Sequence, residues 1–137
     1  MVEVLAKYAM KLDGEDDIIA VRRRVKELAE QHKFDTFAVA AITTATSELA
    51  RNVIVHGQGG DASIEEVSDG LRAGIRIVFS DAGPGIPDIG RVMSGGYSTA
   101  RSMGLGLSGS KRLVDAFVLD SKVGEGTRVT VTKWKRF

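Results

Sequence analysis

Cysteine is absent from the 137 residues, proline and histidine occur twice each, and aromatic residues make up 6%. Without cysteine there is no disulfide framework, no thiolate nucleophile and no Cys-ligated zinc. His32 and His56 are too few for a His-rich metal site. Neither sign of charge dominates: 19 Lys+Arg stand against 18 Asp+Glu, a net charge of +1. Nothing therefore argues for nucleic acid or an anionic membrane as partner. No run approaches the roughly 18 apolar residues of a membrane span, and Met1-Val2-Glu3-Val4 has no basic segment leading into an apolar one. These absences point to the cytoplasm. What remains suffices for a core, because 43% of the residues are hydrophobic and a chain of this size buries roughly two-thirds of its unfolded surface. Residues 1–137 read as one domain.

Val2, Val4 and Ala6 alternate with polar residues, as in an opening strand. Asp13-Gly14-Glu15 breaks the pattern. Asp16 or Asp17 is expected to cap a helix running to about His32, with Ile18, Val21, Val25, Leu28 and Ala29 on its inner face. Asp35 then caps a second helix, through about Val55. Ala62–Val67 and Leu71–Phe79 are strand-like around the hairpin signal Asp69-Gly70. From Asp81 to about Ser102 the chain is Gly-rich and loop-like and holds both prolines. A helix from Leu107 to about Ala116 follows, then a second hairpin of Val118–Lys122 and Thr127–Lys133. Helices in blocks favour an α/β sandwich with helices on one sheet face.

Gly104-Leu105-Gly106-Leu107-Ser108-Gly109 has the G-x-G-x-x-G spacing of a dinucleotide turn. That turn needs a hydrophobic strand directly before it, and Tyr97 to Met103 is polar. A P-loop fails as well, because Ser110 occupies the lysine position and Arg112 follows Lys111. Backbone N–H groups that suit phosphate oxygens remain one reading of this segment. A flexible loop ahead of a helix is the other.

Glu48 and Asn52 lie four residues apart on the second helix and share a face. They border Ala41 and Ala45, beside the apolar stripe of Ala38, Ile42, Leu49 and Val53; an alanine floor leaves room for a ligand. Alone, the pair is equally a solvated polar couple. His56 continues the row and is assigned no chemistry. Asp81 ends a strand and precedes glycines spaced two apart, Gly83 and Gly85. Its carboxylate can accept a hydrogen bond from an exocyclic amino group such as that of adenine, or cap backbone N–H groups of a Pro-Gly turn. Thr127, after Gly126, starts a late strand.

In order, these are E-x-x-x-N on a helix, D-x-G-x-G after a strand, G-x-G before a helix and G-T in a hairpin. The series resembles the Bergerat-type ATP-binding fold shared by gyrase, Hsp90, histidine kinases and MutL, over nearly the whole chain. Within that group, Ser47 to Asn52, Asp81 to Ile89 and Gly124 to Trp134 are similar to the RsbT-type serine/threonine kinases of the bacterial stressosome, relatives of the anti-sigma-factor kinases. The resemblance implies a two-layer α/β sandwich whose mixed, mainly antiparallel sheet carries helices on one face. It also implies ATP or ADP and Mg²⁺ as cofactors. Its implied partners are a STAS-domain antagonist as substrate, a stressosome scaffold and a downstream PP2C-type phosphatase, with no nucleic acid and no membrane.

Residue by residue, the resemblance implies that Glu48 is the general base and that Asn52 gives its carbonyl oxygen to Mg²⁺. Asp81 would read the adenine amino group, directly and through a water that Thr127 supports. Gly83, Gly85 and Ile86 would let the backbone approach the nucleotide. Gly104, Leu105, Gly106 and Leu107 would hold phosphates at the start of the following helix. Ser98 and Thr99 would be lid residues, and Arg101 either reaches the γ-phosphate or is a solvated loop charge. The alternative function is a nucleotide-dependent module that sequesters or activates a partner without turnover; a pure binder needs no base at Glu48. ATP hydrolysis coupled to conformational change, as in gyrase and the chaperones, would need a transducing domain for which 137 residues leave no room.

Overall fold

The computed structural model describes residues 1–94 and 101–136, with the backbone alone for 101–105. The elements are β1 (Glu3–Leu12), α1 (Glu15–Gln31), α2 (Thr36–Val55), β2 (Gly60–Ser68), β3 (Ala73–Asp81), α3 (Ile89–Met93), α4 (Arg101–Leu113), β4 (Ala116–Lys122) and β5 (Gly126–Trp134). Along β1, alternation turns Tyr8, Met10 and Leu12 towards the core and leaves Lys7, Ala9 and Lys11 in solvent.

Helix α1 buries its expected stripe of Ile18, Val21, Val25, Leu28 and Ala29. Its start differs from expectation: the cap position is Gly14, in extended conformation. Asp17 instead reaches back from the first turn, and its Oδ2 accepts the N–H groups of Asp13 at 2.8 Å and Gly14 at 3.2 Å. Donors just ahead of the helix are thereby satisfied by a side chain inside it. In α2 the cap is Asp35, whose Oδ1 accepts the Ala38 N–H at 2.7 Å. Thr43, Thr46 and Ser47 are accommodated in this apolar helix because each hydroxyl donates to the carbonyl one turn back.

The sheet order is β1-β2-β3-β5-β4, and all four ladders are antiparallel. The parallel pair that a mixed sheet would contain is not found among the described residues. Asp69-Gly70 closes the β2–β3 hairpin: Asp69 Oδ1 accepts the N–H groups of Leu71 and Arg72 at 2.9 and 2.7 Å, while Gly70 takes φ +94°. The helices cover one face, where Ile64, Ile75, Ile77, Phe79 and Val131 pack against Val25, Leu28, Ile42 and Leu49. The opposite face is more polar, with Glu65 and Arg76 paired at 2.6 Å. No helix among the described residues is long and apolar enough to cross a membrane.

Two further expectations need correction. The stretch after Asp81 is not loop throughout: Asp88 Oδ1 accepts the Arg91 N–H at 3.0 Å and starts the short α3. Helix α4 begins at Arg101 rather than Leu107 and ends at Leu113 rather than near Ala116. Its glycines argue against helix by about 1 kcal/mol each. Packing along α2, where Gly106 meets Asn52 and Glu48, overrides that preference.

Candidate functional site

Register brings the sequence motifs together at one end of the sheet. Asp81, the last residue of β3, lies opposite Gly60 of β2 and Thr127 of β5, and Thr127 lies opposite Ser121 of β4. Asp81 Oδ1 accepts the Gly83 N–H at 2.9 Å and the Thr127 N–H at 3.2 Å. Of its two candidate roles, capping backbone N–H groups is thus performed by one oxygen. The other, Oδ2, lies against Gly57, where any Cβ would collide with the carboxylate.

The glycines around Asp81 work differently from the expectation that they bring backbone close to a ligand. A Cβ on Gly83 would come 2.7 Å from the carbonyl oxygen of Gly57. One on Gly85, at φ +79°, would strike the Lys122 carbonyl, and one on Gly126, at φ +109°, the Asp81 carbonyl. The close approach at each is of protein backbone to protein backbone, which fixes the Asp81 turn against α2's end and the β4–β5 hairpin.

On α2, one helical turn separates Glu48 from Asn52, and Gly106 of α4 faces both. A Cβ on Gly106 would stand 3.2 Å from Asn52 Nδ2, 3.4 Å from Asn52 Oδ1 and 3.5 Å from Glu48 Oε2. The Nδ2 of Asn52 is buried and without a hydrogen-bond partner among the described residues. Glu48 likewise has neither ion pair nor hydrogen bond to them. Of the expected alanine floor, Ala45 is fully buried, while Ala41 lines a surface groove together with Arg112 and Leu113 of α4.

Between the two ends is a cavity. Leu49, Val53, Phe79, Ile86, Leu107 and Val129 form its apolar walls, and Asn52, His56, Asp81 and Thr127 reach it with polar groups. The space is narrow, about 30 Å³, room for little more than a water. Apolar walls with a few convergent polar groups are the usual composition of a small-molecule site. Burial lowers the pKa of His56 below its ordinary 6.5, so the imidazole is held neutral in this setting.

Sequence reasoning missed three contributors. Ser121 Oγ accepts the Ile86 N–H at 2.8 Å and lies 2.8 Å from Thr127 Oγ1, tying the Asp81–Ile86 turn to the β4–β5 hairpin. Nothing marks a serine within a strand until its register is known. Gly57 and His56 are missed because they lie beyond the expected helix end near Val55, where the helical row no longer predicts what a side chain faces. Ser98 and Thr99 lie outside the described residues, as do the side chains of Arg101 and Leu105 and the surroundings of Gly104. Because α4 starts at Arg101, the amides of Gly106 and Leu107 are bonded inside the helix rather than free at its opening turn, contrary to expectation.

Residues 38–136 match the family model described as histidine kinase-, DNA gyrase B- and HSP90-like ATPase. The chain belongs to this ATPase family. A serine/threonine-protein kinase of Bacillus subtilis, RsbT, is 47% identical over 127 residues, covering 93% of this chain and 96% of the relative. An anti-sigma F factor of Clostridium botulinum is 32% identical over 103 residues, 69% of this chain and 70% of its own. In fold, the chain is similar to a crystal structure of the RsbU and RsbW domains of a Mycobacterium tuberculosis protein, with TM-score 0.66 and 21% identity. That likeness covers 96% of this chain and 33% of the solved one. Membership in the ATPase family brings ATP binding with it. The cavity between Asn52 and Asp81 brings apolar walls and polar groups together.

Proposed function

We propose that the chain is a serine/threonine protein kinase that passes the γ-phosphoryl group of ATP to a hydroxyl of a STAS-domain antagonist protein. It acts in the cytoplasm in a bacterial partner-switching stress response, with a stressosome scaffold and a PP2C-type phosphatase as its other partners. The observation that carries this reading is that Asn52 lines one cavity with Asp81 while Gly106 packs against Asn52 and Glu48 together. Similarity to the B. subtilis kinase supports the same reading.

In this mechanism the purine lies between the apolar walls, with its amino group on Asp81 Oδ2 and its water held by Thr127. Ile86 and Leu107 must yield to admit it, given the present width. Asn52 would offer a magnesium ion its carboxamide oxygen, Oδ1, because Mg²⁺ takes few protein oxygens while keeping waters and phosphate oxygens; the buried, unpaired Nδ2 is a donor suited to a phosphate oxygen beside that ion. When bound, the ion neutralises charge on the phosphates. Glu48 takes the proton from the incoming hydroxyl as its oxygen bonds to the γ-phosphorus and the bond to the β-phosphate oxygen breaks, releasing ADP. Positioning of donor and acceptor supplies much of the remaining acceleration.

Glu48→Gln separates the roles. Label transfer from γ-labelled ATP to a STAS-domain protein is expected to fall at least about 10²-fold, the lower range for a lost general base. Calorimetric titration with ADP is expected to be unchanged within a few-fold. Full transfer by this variant would remove Glu48 from the mechanism.

A further inference from the structure

We propose that a second groove, on the far end of the α2–α4 seam, binds an extended acidic segment of a protein partner that also carries an apolar side chain. The groove is a cavity of about 400 Å³. Ala38, Ala41 and Leu113 give it an apolar floor, and Phe37 stands at its edge, 89% exposed. Such exposure of a phenylalanine leaves a large apolar surface in water.

Charge around this floor is one-sided. Arg112, Lys133 and Arg136 line it, against the single carboxylate of Asp35. Asp35 is already engaged, its Oδ1 accepting the Ala38 N–H. Arg136 stands 3.5 Å from Asp115, which lies outside the lining and whose other oxygen accepts the Trp134 N–H at 2.7 Å. Neither Arg112 nor Lys133 has an ion pair among the described residues. Lys133 is the more telling of the two. It continues the inward row of Thr127, Val129 and Val131 on β5 and is partly buried there. A lysine on a core-facing row without a counter-ion is the arrangement an incoming carboxylate stabilises. The start of α2 adds the positive end of a 20-residue helix.

The position fits delivery of a hydroxyl. Helix α4 runs antiparallel to α2, so Gly106 meets Glu48 and Asn52 while Arg112 and Leu113 meet Ala41 and Ala38. From Ala41 to Glu48 is about 10 Å along the helix, a span that roughly three extended residues cover. An acidic segment seated in the groove would thus leave a neighbouring hydroxyl of the same partner at Glu48. This last step rests on the kinase reading; the groove's preference for acidic, apolar-bearing segments does not.

The test uses the full chain and a fluorescein-labelled peptide of alternating Glu and Leu, followed by fluorescence anisotropy. Saturable binding is expected, weakening with salt and falling about tenfold or more in the Arg112→Glu, Lys133→Glu double variant. The Arg112→Gln, Lys133→Gln variant, which removes charge without reversing it, is expected to fall in the same direction, and Phe37→Ser several-fold. Urea midpoints and ADP titrations of these variants should match the parent. The proposal is overturned by no binding to the parent chain, by equal binding to the charge-reversed variant, or by equal binding of a Lys/Leu peptide. Concentration-dependent dimerisation abolished by Phe37→Ser would overturn it too, assigning the groove to a second copy. Glu48→Gln should bind the peptide as the parent does. If the parent chain binds it yet transfers no phosphate, the kinase reading fails while the groove assignment stands.

Discussion

The two ends of the cavity are built in opposite ways. At the Asp81 end nearly every polar group is already used: one carboxylate oxygen takes two backbone N–H groups, and Ser121 takes a third. Glycines at 57, 83 and 126 let three chain segments touch there without side chains between them. At the Glu48 end the polar groups are unspent, with Asn52 Nδ2 buried and unpaired and Glu48 unpartnered among the described residues. Unsatisfied buried groups cost about 1–3 kcal/mol each, so they persist where function asks for them. Rigidity suits recognition of a fixed shape, and unspent groups suit a charged centre that forms during reaction.

If that contrast is right, the largest effect of a small substitution falls at the rigid end. Gly126→Ala must place a Cβ on the Asp81 carbonyl from a φ of +109°. Strain and overpacking together predict a loss of roughly 3 kcal/mol, read as a lowered urea midpoint with unchanged slope. A midpoint equal to the parent's would mean that the turn has slack. Next comes Asp81→Asn, which keeps an oxygen for the Gly83 and Thr127 amides but replaces the second acceptor with a donor. Stability should move little, while ADP affinity drops by roughly 1.5–3 kcal/mol, the worth of a hydrogen bond to a charged group. Equal losses of both would make Asp81 a purely structural cap. Gly106→Ala belongs to the opposite end. Its Cβ would sit 3.2 Å from Asn52 Nδ2, a tight fit, yet alanine gains up to about 1 kcal/mol of helix propensity. Phosphate transfer should fall several-fold while thermal stability holds or rises.

How far these ends could be read in advance follows the same division. The hairpin at Asp69-Gly70, the stripe of α1 and the Asp35 cap depend on local chemistry, and each is found where its residues predict. Glu48, Asn52 and Asp81 stood out as residue types at useful spacings. What they would face depends on packing between distant elements, which no local pattern encodes. Ser121 is the clearest instance, since only the β4–β5 register sets it beside Thr127. The glycines misled in the other direction. Gly83 and Gly85 have the composition of a ligand loop, but their missing side chains make room for Gly57 and Lys122. In α4 the glycines argued for loop, and contact with α2 decided for helix.

The smallest expected effect concerns the one cavity group that titrates near neutrality. Burial lowers the pKa of His56 below 6.5, so the unfolded chain holds that proton more tightly than the native one. Its contribution therefore leaves stability undiminished above 6.5. As pH falls below that value, stability declines, and the loss levels off once the lowered native pKa is passed. His56→Phe keeps an aromatic ring on the wall and removes the titration. The quantity to compare is the difference between parent and variant, which cancels every other group. Urea midpoints at about pH 7.5 and about pH 5.5 should show a wider drop in the parent than in His56→Phe. Equal drops would mean that water reaches the imidazole as freely as in the unfolded chain, and the apolar side of the cavity would then be less closed than the packing of Leu49, Phe79 and Leu107 around it requires.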